Sequence, residues 1–331
     1  MAILVTGGAG YIGSHAVLEL KRLGYSVIVV DNLQKGHKDA IKDVKLITID
    51  LRNKEDVLNM FADNKIDAVL HFAADSLVGE SVTNPQKYFV NNIFSGVNLI
   101  EAMIKYNVKR FIFSSSAATY GEPKKIPIEE KNPTIPTNPY GESKLIFEKM
   151  LAWYDNAHGI KYVSLRYFNA AGADRIEQIG EDHTPESHLI PIVLQVALGK
   201  RQQVEIFGTD YKTPDGTCLR DYIHVTDLAM AHILALKKLE KPGAASNIYN
   251  LGNQKGFSVK QIIKVAEKVT GKKIKSVEGP RRAGDPAVLI ASSAKIRKEL
   301  KWKPGLGDIE TIISTAWKWH KNHPDGYGDK K

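Results

Sequence analysis

A doubly wound α/β fold, with a parallel sheet covered by helices on both faces, is predicted by three features of this sequence. Short β-branched runs alternate with longer amphipathic stretches through the first half of the chain. A glycine-rich turn, Gly7-Gly8-Ala9-Gly10-Tyr11-Ile12-Gly13, directly follows the first run, and an acid, Asp31, closes the second. Strands separated by helices pair in parallel through right-handed crossovers, and ligands of such sheets sit beyond the carboxyl ends of the strands.

The elements follow in order. Ile3-Leu4-Val5 reads as a buried strand within 2–5, and 14–23 as the helix after the glycine turn. Further strands are expected at 27–30, 46–49, 68–72, 110–114 and 162–166, with long helices at 84–106 and 140–157. After about residue 170 the rhythm changes. Segments 171–186 and 207–217 are rich in Gly, Asp and Pro, and a helix is expected between them at 189–198. Amphipathic spacing predicts more helices at 258–270, 293–300 and 309–319. Residues 1–170 are thus expected to form a dinucleotide-binding domain of the Rossmann type, and 171–331 a smaller α/β lobe that holds a substrate. Ile248-Tyr249-Asn250-Leu251 is strand-like, which makes the segment around 220–251 a candidate to return to the main sheet. The final Asp329-Lys330-Lys331 reads as a frayed tail.

Composition narrows the function classes. The 331 residues carry 25% charged and 43% apolar side chains, and no apolar run approaches the roughly 20 residues that span a bilayer. Met1 leads straight into the first strand without a basic leader or cleavage site, and the one cysteine, Cys218, cannot form an internal disulfide. Both point to the cytoplasm. The net charge of +9 could suggest nucleic acid, yet lysines alternate with acids, as in Lys54-Glu55-Asp56 and Glu148-Lys149, and no arginine-rich tract occurs. A solvated lysine surface accounts for the charge.

The glycines at 7, 10 and 13 permit a tight turn, close approach of backbone to a pyrophosphate, and close helix–strand packing. Asp31 lies 18 residues past Gly13, at the spacing of a carboxylate that accepts the adenosine ribose hydroxyls. Such an acid repels a 2′-phosphate, and no arginine follows to receive one, so NAD is favoured over NADP. Asp50-Leu51 and Phe72-Ala73-Ala74 follow the third and fourth strands and extend the same groove.

Ser114-Ser115-Ser116 closes the fifth strand, and Tyr140-Gly141-Glu142-Ser143-Lys144 sets a phenol and an ammonium one helical turn apart on one face. A free tyrosine titrates near 10, so roughly one in a thousand is ionised at neutral pH. An adjacent cation is expected to lower that value and make Tyr140 a base for a substrate hydroxyl, with Ser116 on the reacting oxygen. Taken alone, a packed Tyr and a snorkelling Lys would explain the pair; the dinucleotide signal selects the catalytic reading.

The glycine turn, the serine triplet and the Tyr-Gly-Glu-Ser-Lys segment resemble the extended short-chain dehydrogenase/reductases. Other segments resemble, within that family, the epimerases of uridine-diphosphate sugars. They are Asp31-Asn32-Leu33, His71-Phe72-Ala73-Ala74, Val78-Gly79-Glu80-Ser81, Leu165-Arg166-Tyr167-Phe168-Asn169, Gly180-Glu181-Asp182, Asp215–Val225 and Arg281-Arg282-Ala283-Gly284-Asp285. The resemblance covers essentially the whole chain. It implies NAD as resident cofactor, UDP-glucose and UDP-galactose as the interconverted pair, and a homodimer built from the helices at 84–106 and 140–157.

The same resemblance assigns roles. Tyr140 is the base, Lys144 its partner and Ser116 a sugar contact. Gly7, Gly10, Tyr11, Ile12, Gly13, Asp31, Asn32, Leu33, Asp50, Leu51, Phe72, Ala73, Ala74, Ser76, Asn91, Ser114 and Phe168, with Tyr140 and Lys144, surround the cofactor. Asn169, Leu189, Phe207, Arg220, Arg282 and Asp285 hold the uridine diphosphate. Two guanidinium forks suit a diphosphate, and a carboxylate accepts from ribose hydroxyls. Dehydratases of the same fold carry an acid pair after the strand-five serine; Ala117 and Ala118 occupy those positions here and argue against elimination. Leu289 stands where pocket size is gated, so N-acetylated sugars form the alternative substrate class. His188 precedes Leu189 where an Asn is frequent.

Overall fold

The computed structural model describes residues 1–329 apart from 177, 283 and 284. Strands β1 (Ala2–Thr6), β2 (Ser26–Asp31), β3 (Lys45–Thr48), β4 (Ala68–His71), β5 (Arg110–Ser116) and β6 (Lys161–Tyr167) come first. Then follow β7 (Asn169–Ala171), β8 (Val204–Phe207), β9 (Leu219–His224), β10 (Asn247–Leu251), β11 (Gly256–Ser258), β12 (Ser276–Gly279) and β13 (Val288–Leu289). The α-helices are α1 (Tyr11–Arg22), α2 (Lys54–Asp63), α3 (Val78–Thr83), α4 (Pro85–Phe89), α5 (Ser95–Lys105), α6 (Pro139–His158), α7 (Leu189–Ala197), α8 (Val225–Leu239), α9 (Val259–Thr270), α10 (Ala294–Leu300) and α11 (Ile309–Asn322).

Seven strands form a parallel sheet in the order β10-β6-β5-β4-β1-β2-β3. From β1 the chain runs outward to β3 and then returns to β4 on the other side of β1. The crevice of a doubly wound sheet opens at such a reversal. On one face, α1 and α8 bury Val17, Leu20, Leu228 and Leu236 against the sheet. On the other, α2, α5 and α6 bury Phe61, Leu99, Ile100, Phe147 and Leu151. A third apolar cluster joins α7, α9 and α11 beneath β7, β8 and β9, where β9 pairs with β7, β11 and β13 in a small mixed sheet.

The structure departs from the sequence reading in several places; the short strands β7, β8, β9, β11, β12 and β13 and helix α3 are not among the expected elements. The continuous helix expected at 84–106 is broken into α4, a π-helical turn (Val90–Phe94) and α5. The reason is a polar insertion: Asn92 is buried, accepts from the Asp75 N–H at 2.8 Å and donates to the Asp75 carbonyl and the Ser143 hydroxyl at 3.0 Å. A π turn is a common way to re-aim side chains at a site. Helix α2 was not anticipated, although Asn53 caps it through the Glu55 and Asp56 N–H groups. Helix α8 was also missed, because its His and Lys residues interrupt the apolar spacing. Finally, Asp329 is no frayed tail: its carboxylate lies 2.7 Å from His37 Nδ1. Lys330 and Lys331 lie outside the described residues.

Candidate active site

The glycine turn meets the segment after β4 where the strand order reverses. Gly7 has φ +66°, and a Cβ there would lie 2.5 Å from the Ala73 nitrogen. A Cβ at Gly13 would lie 2.1 Å from the Gly7 carbonyl oxygen, so the first turn of α1 rests directly on the loop. No side chain caps α1 at Gly10, which leaves its first N–H groups for an anion. Asp31, at the end of β2, accepts from the Ala9 N–H at 3.0 Å and the Leu33 N–H at 2.9 Å. Burial raises its pKa, and the two N–H donors pull it back.

One cleft continues from this turn across the carboxyl ends of β1 to β6. It is lined by Gly7, Gly10, Tyr11, Ile12, Gly13, Asp31, Asn32, Asp50, Leu51, Phe72, Ala73, Ala74, Ser76, Asn91, Ser114 and Phe168. Tyr140, Lys144, Ser116 and Asn169 line the same space. Its floor of close-packed backbone, its capless helix terminus and its acid after β2 fit an extended dinucleotide. Leu33 is the exception among the expected cofactor contacts: its side chain packs against the main core instead of the cleft. The wall also contains residues the sequence reading did not name, among them Gln34, Lys35, Asp75, Leu77 and His183. Most of these sit on loops whose path is set by tertiary contacts, so no periodicity marks them.

Helix α6 positions the phenol. Asn138 caps it by accepting from the Gly141 N–H at 2.9 Å, and Pro139 opens it. A Cβ at Gly141 would lie 2.5 Å from the Ala118 carbonyl, so only glycine lets the helix terminus seat against the turn after β5. Ser116 begins that turn, its hydroxyl accepting from the Ala118 N–H at 3.1 Å. Tyr140 and Ser116 are thereby brought to the same wall of the cleft. Lys144, one turn later, donates from Nζ to the Ser114 carbonyl at 2.9 Å and lies 5.0 Å from the Phe113 ring centroid. Both Tyr140 and Lys144 are buried.

Electrostatics here run opposite to the sequence expectation. Burial pushes the Tyr140 phenol up, and the nearby Ser116 hydroxyl only partly opposes it. Burial also lowers Lys144 from the usual 10.5 to about 7, with Glu148 pulling the other way. A lysine that is itself desolvated cannot depress its neighbour strongly. Glu148 belongs to a further structure the sequence reading did not find. It accepts from the Ser115 hydroxyl at 2.6 Å and pairs with Arg166, whose Nη2 lies 2.5 Å away, while Arg166 stacks 4.8 Å from the Tyr120 ring. This buried network ties β5, β6 and α6 together one helical turn beyond Lys144.

Of the expected uridine-diphosphate residues, Asn169 lines that cleft, and the others lie outside its walls. Arg220 Nη2 lies 2.8 Å from Asp285, and Arg282 Nη2 lies 3.0 Å from the same carboxylate. The Arg282 guanidinium sits 5.7 Å from the Phe207 ring. Ala283 and Gly284 lie outside the described residues. Leu289 links the two groups. It pairs in register with Arg220 and packs against the apolar cluster of Ala117, Tyr120 and Phe168. Leu189 opens α7 and packs into the lobe's own apolar cluster.

At the groove's outer edge, residues 181–188 form a strap. Lys35 Nζ donates to the Thr184 carbonyl at 2.8 Å, and His37 Nε2 lies 2.8 Å from the Asp182 carbonyl. Within it, His188 Nδ1 lies 2.9 Å from Glu181 and 3.0 Å from Glu186. Burial alone would lower His188, but the two carboxylates outweigh it and raise its pKa to about 10. The Glu-x-His-x-x-Glu-x-His spacing was visible in the sequence and was not read as a ligand set.

The NAD dependent epimerase/dehydratase family model matches residues 3–252. The chain is 58% identical to the UDP-glucose 4-epimerase of Halalkalibacterium halodurans over 99% of this chain and 98% of that one. It is 54% identical to the UDP-glucose 4-epimerase of Lacticaseibacillus casei over the full length of both. The crystal structure of the Bifidobacterium longum UDP-glucose 4-epimerase, in complex with NAD+ and UDP, superposes with a TM-score of 0.94 at 42% identity. That superposition covers 98% of this chain and 100% of the other.

Proposed function

The chain belongs to the NAD dependent epimerase/dehydratase family, and from that premise we propose that it interconverts UDP-glucose and UDP-galactose by inverting carbon 4 of the sugar. The observation that carries this reading is that Tyr140, Ser116 and Lys144 line one dinucleotide-shaped cleft, with Ala117 and Ala118 in place of an acid pair after Ser116. NAD, when bound, supplies the hydride acceptor and donor that make a 4-keto sugar reversible.

The chain's own groups handle protons and position. Tyr140 takes the proton of the 4-hydroxyl and later returns it, with Ser116 holding the reacting oxygen and passing the proton. Lys144 holds the ribose hydroxyls beside Tyr140. Arg220 and Arg282 grip the diphosphate, Asn169 donates to it, Asp285 takes the uridine ribose, and Phe207 and Leu189 flank the base. An anchor at the nucleotide end leaves the sugar free to turn, which exposes its other face.

The domain boundary is drawn at about residue 170, with β10 contributed back to the first domain. A cytoplasmic homodimer completes the proposal. Its support is the single thiol, Cys218, and two large apolar side chains exposed on the segments expected to pair, Phe94 (60%) and Trp153 (74%). Light scattering of the purified protein at twice the chain mass is the expected result.

The deciding assay gives purified protein UDP-galactose without added cofactor and resolves the nucleotide sugars by chromatography. UDP-glucose rising to an equilibrium mixture, with no net reduced NAD, supports the reading. Conversion of UDP-N-acetylgalactosamine alone would replace it with the N-acetylated substrate class. No conversion of either, with NAD added, would overturn it.

A further inference from the structure

Glu181, His183, Glu186 and His188 converge at one point of the strap over the dinucleotide groove. We propose that these four side chains form a binding site for one divalent transition-metal ion of the zinc type. The site is independent of the epimerase reading.

The geometry is that of a closed four-ligand site. One ligand atom from each residue lies within 4.8 Å of every other. His183 Nδ1 lies 3.0 Å from Glu181 and 3.8 Å from Glu186, and His188 Nδ1 lies 2.9 Å and 3.0 Å from the same two carboxylates. Zinc bonds of about 2.0–2.1 Å in a tetrahedron set ligand–ligand edges of about 3.3 Å, so these four separations bracket the required size. Both imidazoles offer the same nitrogen, Nδ1, to one centre. Two imidazoles with two carboxylates is a donor set suited to zinc and poorly suited to calcium or magnesium, which take oxygen ligands.

Charge supports the same conclusion. The Glu181 and Glu186 side chains are each only 4% exposed. Among the described residues, neither has a lysine or arginine within ion-pair distance, and their partners of that kind are the two histidines. Two desolvated carboxylates side by side require compensating positive charge; a protonated His188 supplies half of it, and one divalent ion bound to the neutral imidazoles supplies it in full. An outer shell is already in place: Glu186 Oε1 accepts from the Ser187 N–H at 2.7 Å and the His188 N–H at 2.8 Å. An entry path exists as well, since His183 and His188 are partly exposed and line the cleft.

With all four positions filled by protein, the ion is structural and not a Lewis acid for the sugar. It fastens the 181–188 strap, which Lys35 and His37 also hold from the far side of the groove. Tyr11, in the glycine turn, meets His183 edge-on at 6.0 Å, so the fastened strap bears directly on the cofactor's phosphate end.

The test uses the intact enzyme after chelator treatment and removal of the chelator. Zinc chloride is titrated by calorimetry, metal content is measured after gel filtration, and cobalt is substituted for its absorption spectrum. One zinc per chain retained through the column, intense visible absorption from four-coordinate cobalt, and a raised melting temperature with zinc are the expected results. Affinity should fall at least 100-fold in His188→Gln and in Glu186→Gln. Retention below about one ion in ten chains, only the weak bands of six-coordinate cobalt, or equal affinity in wild type and both variants would each overturn the proposal. The cobalt spectrum and zinc retention are read on the wild type, so they decide the matter even if a variant fails to fold.

Discussion

The floor of the dinucleotide groove and the arginine corner of the smaller lobe solve related problems by different means. In the proposed function both receive phosphates. The floor does so with backbone: Gly7 and Gly13 leave no room for a Cβ, and a capless helix terminus provides the donors. The corner does so with side chains, Arg220 and Arg282 gathered on the single carboxylate of Asp285. Backbone sites are pre-organised and intolerant of change, whereas side-chain sites are adjustable and screened by water. The proposed catalytic residues, Tyr140, Lys144 and Ser116, line the same cleft as that floor.

The comparison breaks most visibly at the catalytic centre. Tyr140→Phe removes the proposed base for the substrate hydroxyl, and turnover should fall by about 1,000-fold or more. Because the ring and its packing remain, cofactor content and melting temperature should stay near wild type. Retained turnover would remove Tyr140 from the mechanism.

Gly7→Ala tests the floor itself. The new Cβ meets the Ala73 backbone at 2.5 Å in a left-handed conformation, φ +66°, so both contact and strain oppose it. A loss of about 2–4 kcal/mol in stability is expected, together with loss of resident cofactor, measured by denaturant unfolding and by the nucleotide released on heating. If the variant keeps wild-type stability and its cofactor, the floor is not rigid in the sense argued here.

Lys144→Met separates activity from stability. Burial lowers the Lys144 pKa from 10.5 to about 7, so between those values the unfolded chain binds a proton that the folded one does not. Wild-type stability without cofactor therefore rises as pH increases from 7 to 10.5, and the cost of the buried cation is fully present below pH 7. The methionine variant lacks that dependence. At pH 6 it should be more stable than the wild type by on the order of 3 kcal/mol, and the gap should close toward pH 10. Turnover should nevertheless drop by about 100-fold. A variant less stable than wild type at pH 6 would show that Lys144 is held as a well-satisfied cation.

This contrast also explains what the sequence could and could not reveal. The groove floor was legible because its requirements are local: a glycine at a fixed offset from a strand, an acid at the end of the next, a phenol and an ammonium one turn apart. Every strand of the main sheet was placed to within two residues at each end for the same reason. The π turn that faces Asn91 into the cleft was not legible, because it depends on Asn92 meeting Asp75 and Ser143 from distant parts of the chain. The behaviour of Lys144 was misjudged for a related reason. A neighbour in sequence announces a charge, but only the fold tells how much water that charge has lost. Glu148 and Arg166 are of the same kind, ordinary on their own elements and significant only where β6 meets α6.

The smallest effect belongs to the corner, at Arg282. Its side chain is 61% exposed, against 11% for Arg220, so its grip on a diphosphate competes with water and salt. Arg282→Ala leaves Arg220 on Asp285 and leaves the catalytic end untouched. An increase in KM of roughly 10-fold is expected, with kcat within about twofold, since a contact far from carbon 4 contributes equally to ground and transition states. The increase should shrink as ionic strength rises, because salt weakens the wild-type contact and not the variant's absent one. A fall in kcat at unchanged KM would place Arg282 in the turning of the sugar, and the corner would then share the rigidity assigned to the floor.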